Sequence, residues 1–329
     1  MTMMRAILYL PVLLMLIPTL TGCMPGAFLI EPVAKPQRHK ERIIEPGGFW
    51  VHKKIAIIDV DGVMTNGSGV GLFGGRSNPV SDFVAKLRLA EKDSSVKAVV
   101  LRINSPGGTV SASDLMHHEL LKFKEKTHKP VIAAMLGMAA SGGYYLAVGC
   151  DEIYAQPSTI TGSIGVIMKT LSYADTMKKL GLKSETIKSG ELKDMMSPTR
   201  SLTEKEREIL NRMITDSYER FLAVILEGRD NLDEATLRPI ADGRIYTAQQ
   251  ALDLGLIDRI AYLSEAIERA KELAGLKKAK VVMYGPSYLK QGNLYSSNDS
   301  GTPSMLSVLP SFLKPSTGTH FYYLWEGVH

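Results

Sequence analysis

Cysteine is nearly absent from this 329-residue chain: only Cys23 and Cys150 occur. At most one disulfide can form, and no cysteine-rich zinc module can be built. Blocks of one charge sign are missing as well. The 39 Lys+Arg are interspersed with 34 Asp+Glu, a net charge of +5 with no basic stripe carrying interleaved aromatics, so nucleic acid is not an expected partner. Nor is there a hydrophobic run long enough to span a bilayer. The apolar stretch from Ala6 to Leu20 would make a helix of about 22 Å against a hydrocarbon core of roughly 30 Å, and it contains Pro11 and Pro18. With 45% hydrophobic and 22% charged residues, the composition is that of a globular protein, which excludes a disordered chain and a polytopic membrane protein.

What is present at the N-terminus is an address. Arg5 precedes the short apolar run in the manner of an export signal. The run ends in Leu20-Thr21-Gly22-Cys23, which resembles the bacterial lipobox: an aliphatic residue, two small ones, and the cysteine that receives a diacylglyceryl group. The expectation is a signal peptide over residues 1–22 and a lipidated Cys23 that anchors the chain outside the cytosol in a bacterial cell envelope. Each buried methylene of its acyl chains contributes about 0.8 kcal/mol. An uncleaved signal anchor is the alternative. Residues 23–52, rich in Pro and Gly and without periodicity, read as a tether. Cys150 is then a lone thiol, expected to be buried.

From Lys53 onward, β-branched runs alternate with helical spacing. Strands are expected at Lys53–Asp61, Val96–Asn104, Pro130–Met135, Asp151–Ala155, Ile160–Val166 and Lys183–Ile187. Helices are expected at Ser81–Lys92, Ser111–Lys126, from Ser141 onward, at Tyr173–Leu180, from Thr203 to about Glu227, and at Ser264–Ala274 with Leu273 facing inward. Such alternation implies a mainly parallel sheet covered by helices. Thr203 with Glu206 three residues on reads as a capping box. Residues 285–329 are rich in Ser, Asn, Gly, Pro and Thr and read as a flexible tail. Its aromatic end, His320 to Trp325, is the exception; tethered and apolar, it is a candidate occupant of the protein's own substrate groove.

Three local features could carry chemistry. Ser141, in Met138-Ala139-Ala140-Ser141-Gly142-Gly143-Tyr144-Tyr145, sits where a strand turns into a helix, its hydroxyl near backbone N–H groups. Taken alone it also reads as an N-cap before a tightly packed helix. No histidine lies between Ser141 and His320, which argues against a Ser-His-Asp triad and turns attention to lysine. A lysine works as a base near pH 7 only where desolvation brings it down from about 10.4, at a cost of roughly 4 kcal/mol. Lys193, flanked by apolar residues, and Lys188 are the candidates. Ser105-Pro106-Gly107-Gly108 is a sharp turn whose glycine amides suit an oxyanion better than a phosphate, since no Lys-Ser/Thr pair follows.

Together with Thr161-Gly162-Ser163-Ile164-Gly165-Val166 and Ser189-Gly190-Glu191-Leu192-Lys193-Asp194, these motifs stand in the order seen in the signal peptide peptidase A (protease IV) family. The chain resembles its short, single-repeat form from about Lys53 to Ala274. The resemblance implies a Clp/crotonase-like fold over residues 53–284 and a cofactor-free serine endopeptidase. It implies Ser141 as nucleophile, Lys193 as general base and Ser163 as the hydroxyl that positions the lysine. Gly107, Gly108 and Gly142 match the oxyanion-hole region. Released signal peptides and other unfolded apolar segments are the implied substrates, and a homo-octamer whose dyads are shared between subunits is the implied assembly. Arg244 and Tyr246 match a late family segment, with no chemistry assigned. A crotonase-like acyl-CoA enzyme on the same fold, or an inactive membrane-tethered scaffold, are the competing readings.

Overall fold

In the computed structural model, which describes residues 39–66, 69–70, 76–285, 293–294 and 321–325, the chain winds a nine-stranded sheet through its centre. In chain order the elements begin with β1 (Lys40–Glu45), β2 (Lys54–Asp61), a separate hairpin of β3 (Gly69–Val70) and β4 (Arg76–Ser77), α1 (Pro79–Lys92) and β5 (Val96–Ser105). Next come β6 (Gly107–Thr109), α2 (Val110–Thr127), β7 (Val131–Ala140), α3 (Gly142–Ala147), β8 (Glu152–Ala155), β9 (Ile160–Gly162) and β10 (Ile167–Met168). Beyond them lie α4 (Ala174–Lys179), α5 (Glu204–Gly228), α6 (Glu234–Leu237), β11 (Ile245–Thr247), α7 (Ala248–Asp253), β12 (Arg259–Ile260), α8 (Leu263–Leu273), β13 (Lys280–Gly285) and β14 (Phe321–Leu324). The sheet's main path runs β1-β13-β2-β5-β7-β8-β12, with β9 branching from β7 and β11 pairing with β9; all its pairs are parallel except β1–β13 and β9–β11.

The mainly parallel sheet has the physical cause that the alternation suggested. Its central strands are hydrophobic on both faces, with Ile55 to Ile58 and Ala98 to Leu101 all but fully buried, so each needs a helical cover on either side. On one face α1, α2, α3 and α5 contribute Phe83, Met116, Tyr145 and Phe221. On the other, α8 supplies Leu263, Ala266, Ile267 and Ala270. Fully burying one such aliphatic side chain is worth roughly 1.5–3 kcal/mol.

Helix ends follow local rules. Asn78 caps α1 by accepting from the Ser81 N–H at 3.0 Å, with Pro79 in the first turn. The capping box at α5 is present: Thr203 Oγ1 accepts from the Glu206 N–H at 3.2 Å, and the Glu206 carboxylate accepts from the Thr203 N–H at 2.8 Å.

Several expectations are corrected. Lys183–Ile187 forms no strand; its residues are exposed and, among the described residues, no strand pairs with them. The strand expected at Ile160–Val166 stops at Gly162, where Ser163 turns to a φ of +49°. Leu273 is 38% exposed rather than inward. Ordered strands also lie outside residues 53–284: Lys40–Glu45, within the expected tether, joins the central sheet by pairing with β13, and Phe321–Leu324, within the expected tail, forms β14 of a separate three-stranded sheet with β6 and β10. The expected signal peptide and Cys23 lie outside the described residues. Cys150 is a free, buried thiol, and burial pushes it up to about 12, so it is unreactive.

Candidate active site

The last three residues of β7 leave β8 and pair instead with β9: Met138 with Ile160, Ala139 with Thr161, Ala140 with Gly162. That fork delivers Ser141 into the turn before α3. Ser141 adopts φ +52° and ψ −114°, a strained conformation for a residue with a side chain. It is held there by its own N–H donating to the Gly162 carbonyl at 2.7 Å and by the Tyr145 N–H donating to its carbonyl at 2.9 Å. Its side chain makes no capping bond, so the N-cap reading fails and the hydroxyl is free for other work. The residue is 1% exposed.

Glycines let two other segments close on it. A Cβ at Gly142 would stand 2.3 Å from Ser113 Oγ, and one at Gly143 would stand 2.9 Å from the Ser105 carbonyl oxygen. Gly107, at φ +101°, would place a Cβ 2.7 Å from the Gly142 nitrogen, and Gly108 would place one 1.8 Å from the Met64 carbonyl oxygen. Backbone of the 105–108 turn and the first amide of α3 therefore approach as no larger residues allow. Within this group the Gly107 N–H already donates to Ser105 Oγ at 3.1 Å.

β6 also has a strand beside it. β14 lies between β6 and β10, antiparallel to both. The Trp325 N–H donates to the Pro106 carbonyl at 2.9 Å, which by the alternation of an antiparallel ladder makes Tyr323–Gly108 a hydrogen-bonded pair. The Tyr323 carbonyl oxygen lies where a Cβ on Gly107 would be 2.0 Å from it and one on Gly142 3.1 Å. The Tyr323 side chain is fully buried. It stacks on Tyr145 (5.2 Å, 24°), tilts on Phe221 (4.7 Å) and donates its hydroxyl to the Ser217 carbonyl at 2.6 Å. Tyr145 in turn donates to Asp114, which Arg220 also holds. His117 packs edge-on against Tyr145, and burial drives its pKa down to about 4, leaving a neutral packing residue.

Ser163 is buried beside Gly162, and its N–H donates to the Arg244 carbonyl at 2.7 Å. Here the segment that sequence reasoning left without a role acquires one. β11 pairs with β9, and the Tyr246 ring covers Gly162 so closely that a Cβ there would be 2.5 Å from it. The late Arg244–Tyr246 segment thus fixes the loop that carries Ser163 and receives the Ser141 N–H.

Lys193 stands apart. It lies in a single 3-10 turn, Glu191–Asp194, its side chain exposed and without a hydrogen bond or ion pair among the described residues, so the single chain does not join it to Ser141. Its rival Lys188 is committed, donating to Asp194 Oδ1 at 2.6 Å and to the Glu191 carbonyl at 2.8 Å. Nearly all of residues 169–191 are exposed, including Leu171, Leu180, Leu182 and Ile187.

The profile of peptidase family S49 matches residues 123–277, which take in Ser141, Ser163 and Lys193. A protein of Enterococcus faecium named for signal peptide peptidase SppA is 38% identical over 244 residues, 74% of this chain and 70% of that one. Protease 4 of Haemophilus influenzae is 34% identical over 235 residues, and the serine protease SPPA of Arabidopsis thaliana chloroplasts is 34% identical over 230; the chain spans only about a third of these two longer relatives. With the parallel α/β sheet of the Clp/crotonase-like class beneath the site, the chain belongs to peptidase family S49 and is a serine peptidase.

Proposed function

We propose that the protein is an endopeptidase with a Ser141–Lys193 dyad that degrades released signal peptides and other unfolded apolar segments at a membrane. The observation that carries the reading is the convergence at Ser141: a strained turn, the closely packed Gly107, Gly108 and Gly142 backbone, and a peptide carbonyl, that of Tyr323, brought against it by the pairing of Tyr323 with Gly108. In this reading β14 follows the path of a substrate strand. The peptide extends β6 by antiparallel pairing, and the face of Tyr145 and Phe221 takes an apolar side chain.

In the reaction, neutral Lys193 takes the Ser141 proton as Oγ attacks the scissile carbonyl. The Gly108 and Gly142 amides stabilise the tetrahedral oxyanion, and the lysine passes the proton to the leaving amine. Water, deprotonated by the Lys193 amine, then attacks the acyl-enzyme ester; its collapse releases the acyl group as a carboxylic acid that ionises in solvent, while Lys193 returns the proton to the departing Ser141 Oγ. Ser163 orients the amine. Because Lys193 is exposed in one chain, the apolar cover it needs comes from a second copy. The bare aliphatic side chains of residues 169–191 support a homo-octamer in which each dyad is completed across a subunit boundary. A lipidated Cys23 holds the assembly to the membrane outside the cytosol.

The test is hydrolysis of an apolar fluorogenic peptide. Ser141→Ala and Lys193→Ala should each lose at least about 1000-fold in kcat/KM with unchanged circular dichroism. Full activity in both would remove the dyad, and failure of Ser141 to react with an acylating probe would favour an inactive scaffold. Mass spectrometry of the mature N-terminus tests Cys23.

A further inference from the structure

Between Lys188 and Glu206, three carboxylates are each claimed by a cation other than Lys193. Glu191 pairs with Lys205 at 2.7 Å. Asp194 accepts from Lys188 Nζ at 2.6 Å and from Arg200 Nε and Nη2 at 3.0 and 2.8 Å. Glu206, whose side chain is 1% exposed, accepts from Arg200 Nη1 at 2.9 Å and from the Thr203 N–H at the start of α5. Arg200 also donates to the Asp194 and Ser201 carbonyls, both at 3.1 Å. Lys193, the residue beside Asp194 in the same turn, takes part in none of these bonds.

We infer that Arg200 is a positioning residue for the Lys193 amine: it withholds the adjacent Asp194 carboxylate from that amine and ties the turn to the rigid start of α5. The inference rests on the dyad reading given above. A general base must shed its proton, and a carboxylate within about 4–6 Å favours the charged ammonium. Asp194 is one residue from Lys193 and would compete for it if released. Lys188 engages Oδ1 alone, whereas the planar fork of Arg200 occupies both Asp194 carboxylate oxygens while also holding Glu206. The same bridge anchors an exposed turn to a 25-residue helix, which fixes where the base is presented.

The test is the pH dependence of kcat/KM for the full-length protein on an apolar peptide. In Arg200→Gln, the rising limb that reports the base should move up by about one pH unit, so activity at pH 7 falls about tenfold and recovers in more alkaline buffer. Adding Asp194→Asn to that variant should bring the limb back toward the parent position, and Arg200→Lys should fall between. Equal loss at every pH, or a double variant whose limb stays displaced, would reduce Arg200 to a scaffold residue and overturn the inference; should Arg200→Gln not fold, the limb in Arg200→Lys decides. Lys193→Ala run in parallel separates the two ideas. If it keeps full activity, the dyad itself fails. If it is inactive while the Arg200→Gln limb stays in place, only the role of Arg200 fails.

Discussion

At Gly108, a single added methyl meets the Met64 carbonyl at 1.8 Å, and no flexible side chain is available to give way. Gly108→Ala should therefore force backbone apart at an amide of the proposed oxyanion hole, and kcat should fall at least about 100-fold with little change in KM, the signature of a lost transition-state contact. His117 makes a prediction of the opposite kind, on stability alone. Its pKa of about 4 in the fold lies below the ordinary value of 6.5, so the unfolded chain binds the proton more readily. Stability from this group is complete above pH 6.5 and is lost as the pH falls toward 4, on the order of 3 kcal/mol in all. Urea midpoints measured at pH 7 and pH 4.5 should differ less in His117→Gln than in the parent. A drop of equal size in both would assign the acid sensitivity to other groups.

Among the elements, β14 invites the most direct perturbation. Tyr323 is fully buried against Tyr145 and Phe221; if β14 lies on the proposed substrate path, an added peptide must displace a tethered competitor. Removing residues 321–329 should raise hydrolysis of added peptide by roughly tenfold, as should Tyr323→Ala, if about 1.4 kcal/mol of docking is lost; unchanged rates would show that the strand does not compete with substrate. Thr203→Ala, which deletes the cap of α5, should cost about 1 kcal/mol in thermal unfolding. Local rules made these helices readable. The capping box at Thr203 and the apolar runs of β2 and β5 carry their structure in neighbouring residues, whereas the Asn78-Pro79 start of α1 precedes the Ser81 start that the apolar spacing predicts. Where pairing partners are distant, the reading fails. Lys40–Glu45 looks like tether because an edge strand needs little apolar surface, and only β13, far along the chain, makes it a strand. Lys183–Ile187, four polar residues before one isoleucine, offers no buried face, and among the described residues no strand pairs with it. At the site, Ser141 and the glycine turn were legible from small residues at strand ends. The role of Arg244–Tyr246 was not, because it works by backbone register against Gly162 and not by its side-chain chemistry.

At the level of the whole molecule, the proposed nucleophile, Ser141, is built into the body of the fold while the proposed base, Lys193, rides on an exposed segment. If two copies complete one site, mixing inactive Ser141→Ala chains with inactive Lys193→Ala chains should restore up to about a quarter of parental activity, since random pairing leaves some interfaces with both groups intact. No recovery after verified subunit exchange would place each dyad within one chain. Ile187→Asp puts a charge at a fully exposed aliphatic position, and should dissociate the assembly on size-exclusion chromatography while leaving the unfolding midpoint of the separated chains within about 0.5 kcal/mol of the parent. Retention of the oligomer would move the interface elsewhere.

β10 carries a consequence for how such a site would be assembled. Its two residues are paired with β14 and, among the described residues, with no other strand, and the chain leaves β10 directly into residues 169–191 and on to Lys193. Whichever peptide lies in the place of β14 is therefore the fastening between the body and the root of that arm. An incoming substrate strand would contribute more than its scissile bond: its backbone would complete the small sheet, and part of its binding free energy would go into ordering the segment that brings the base. Peptides too short to span from β6 to β10 should then be poor in turnover and not merely weak in binding.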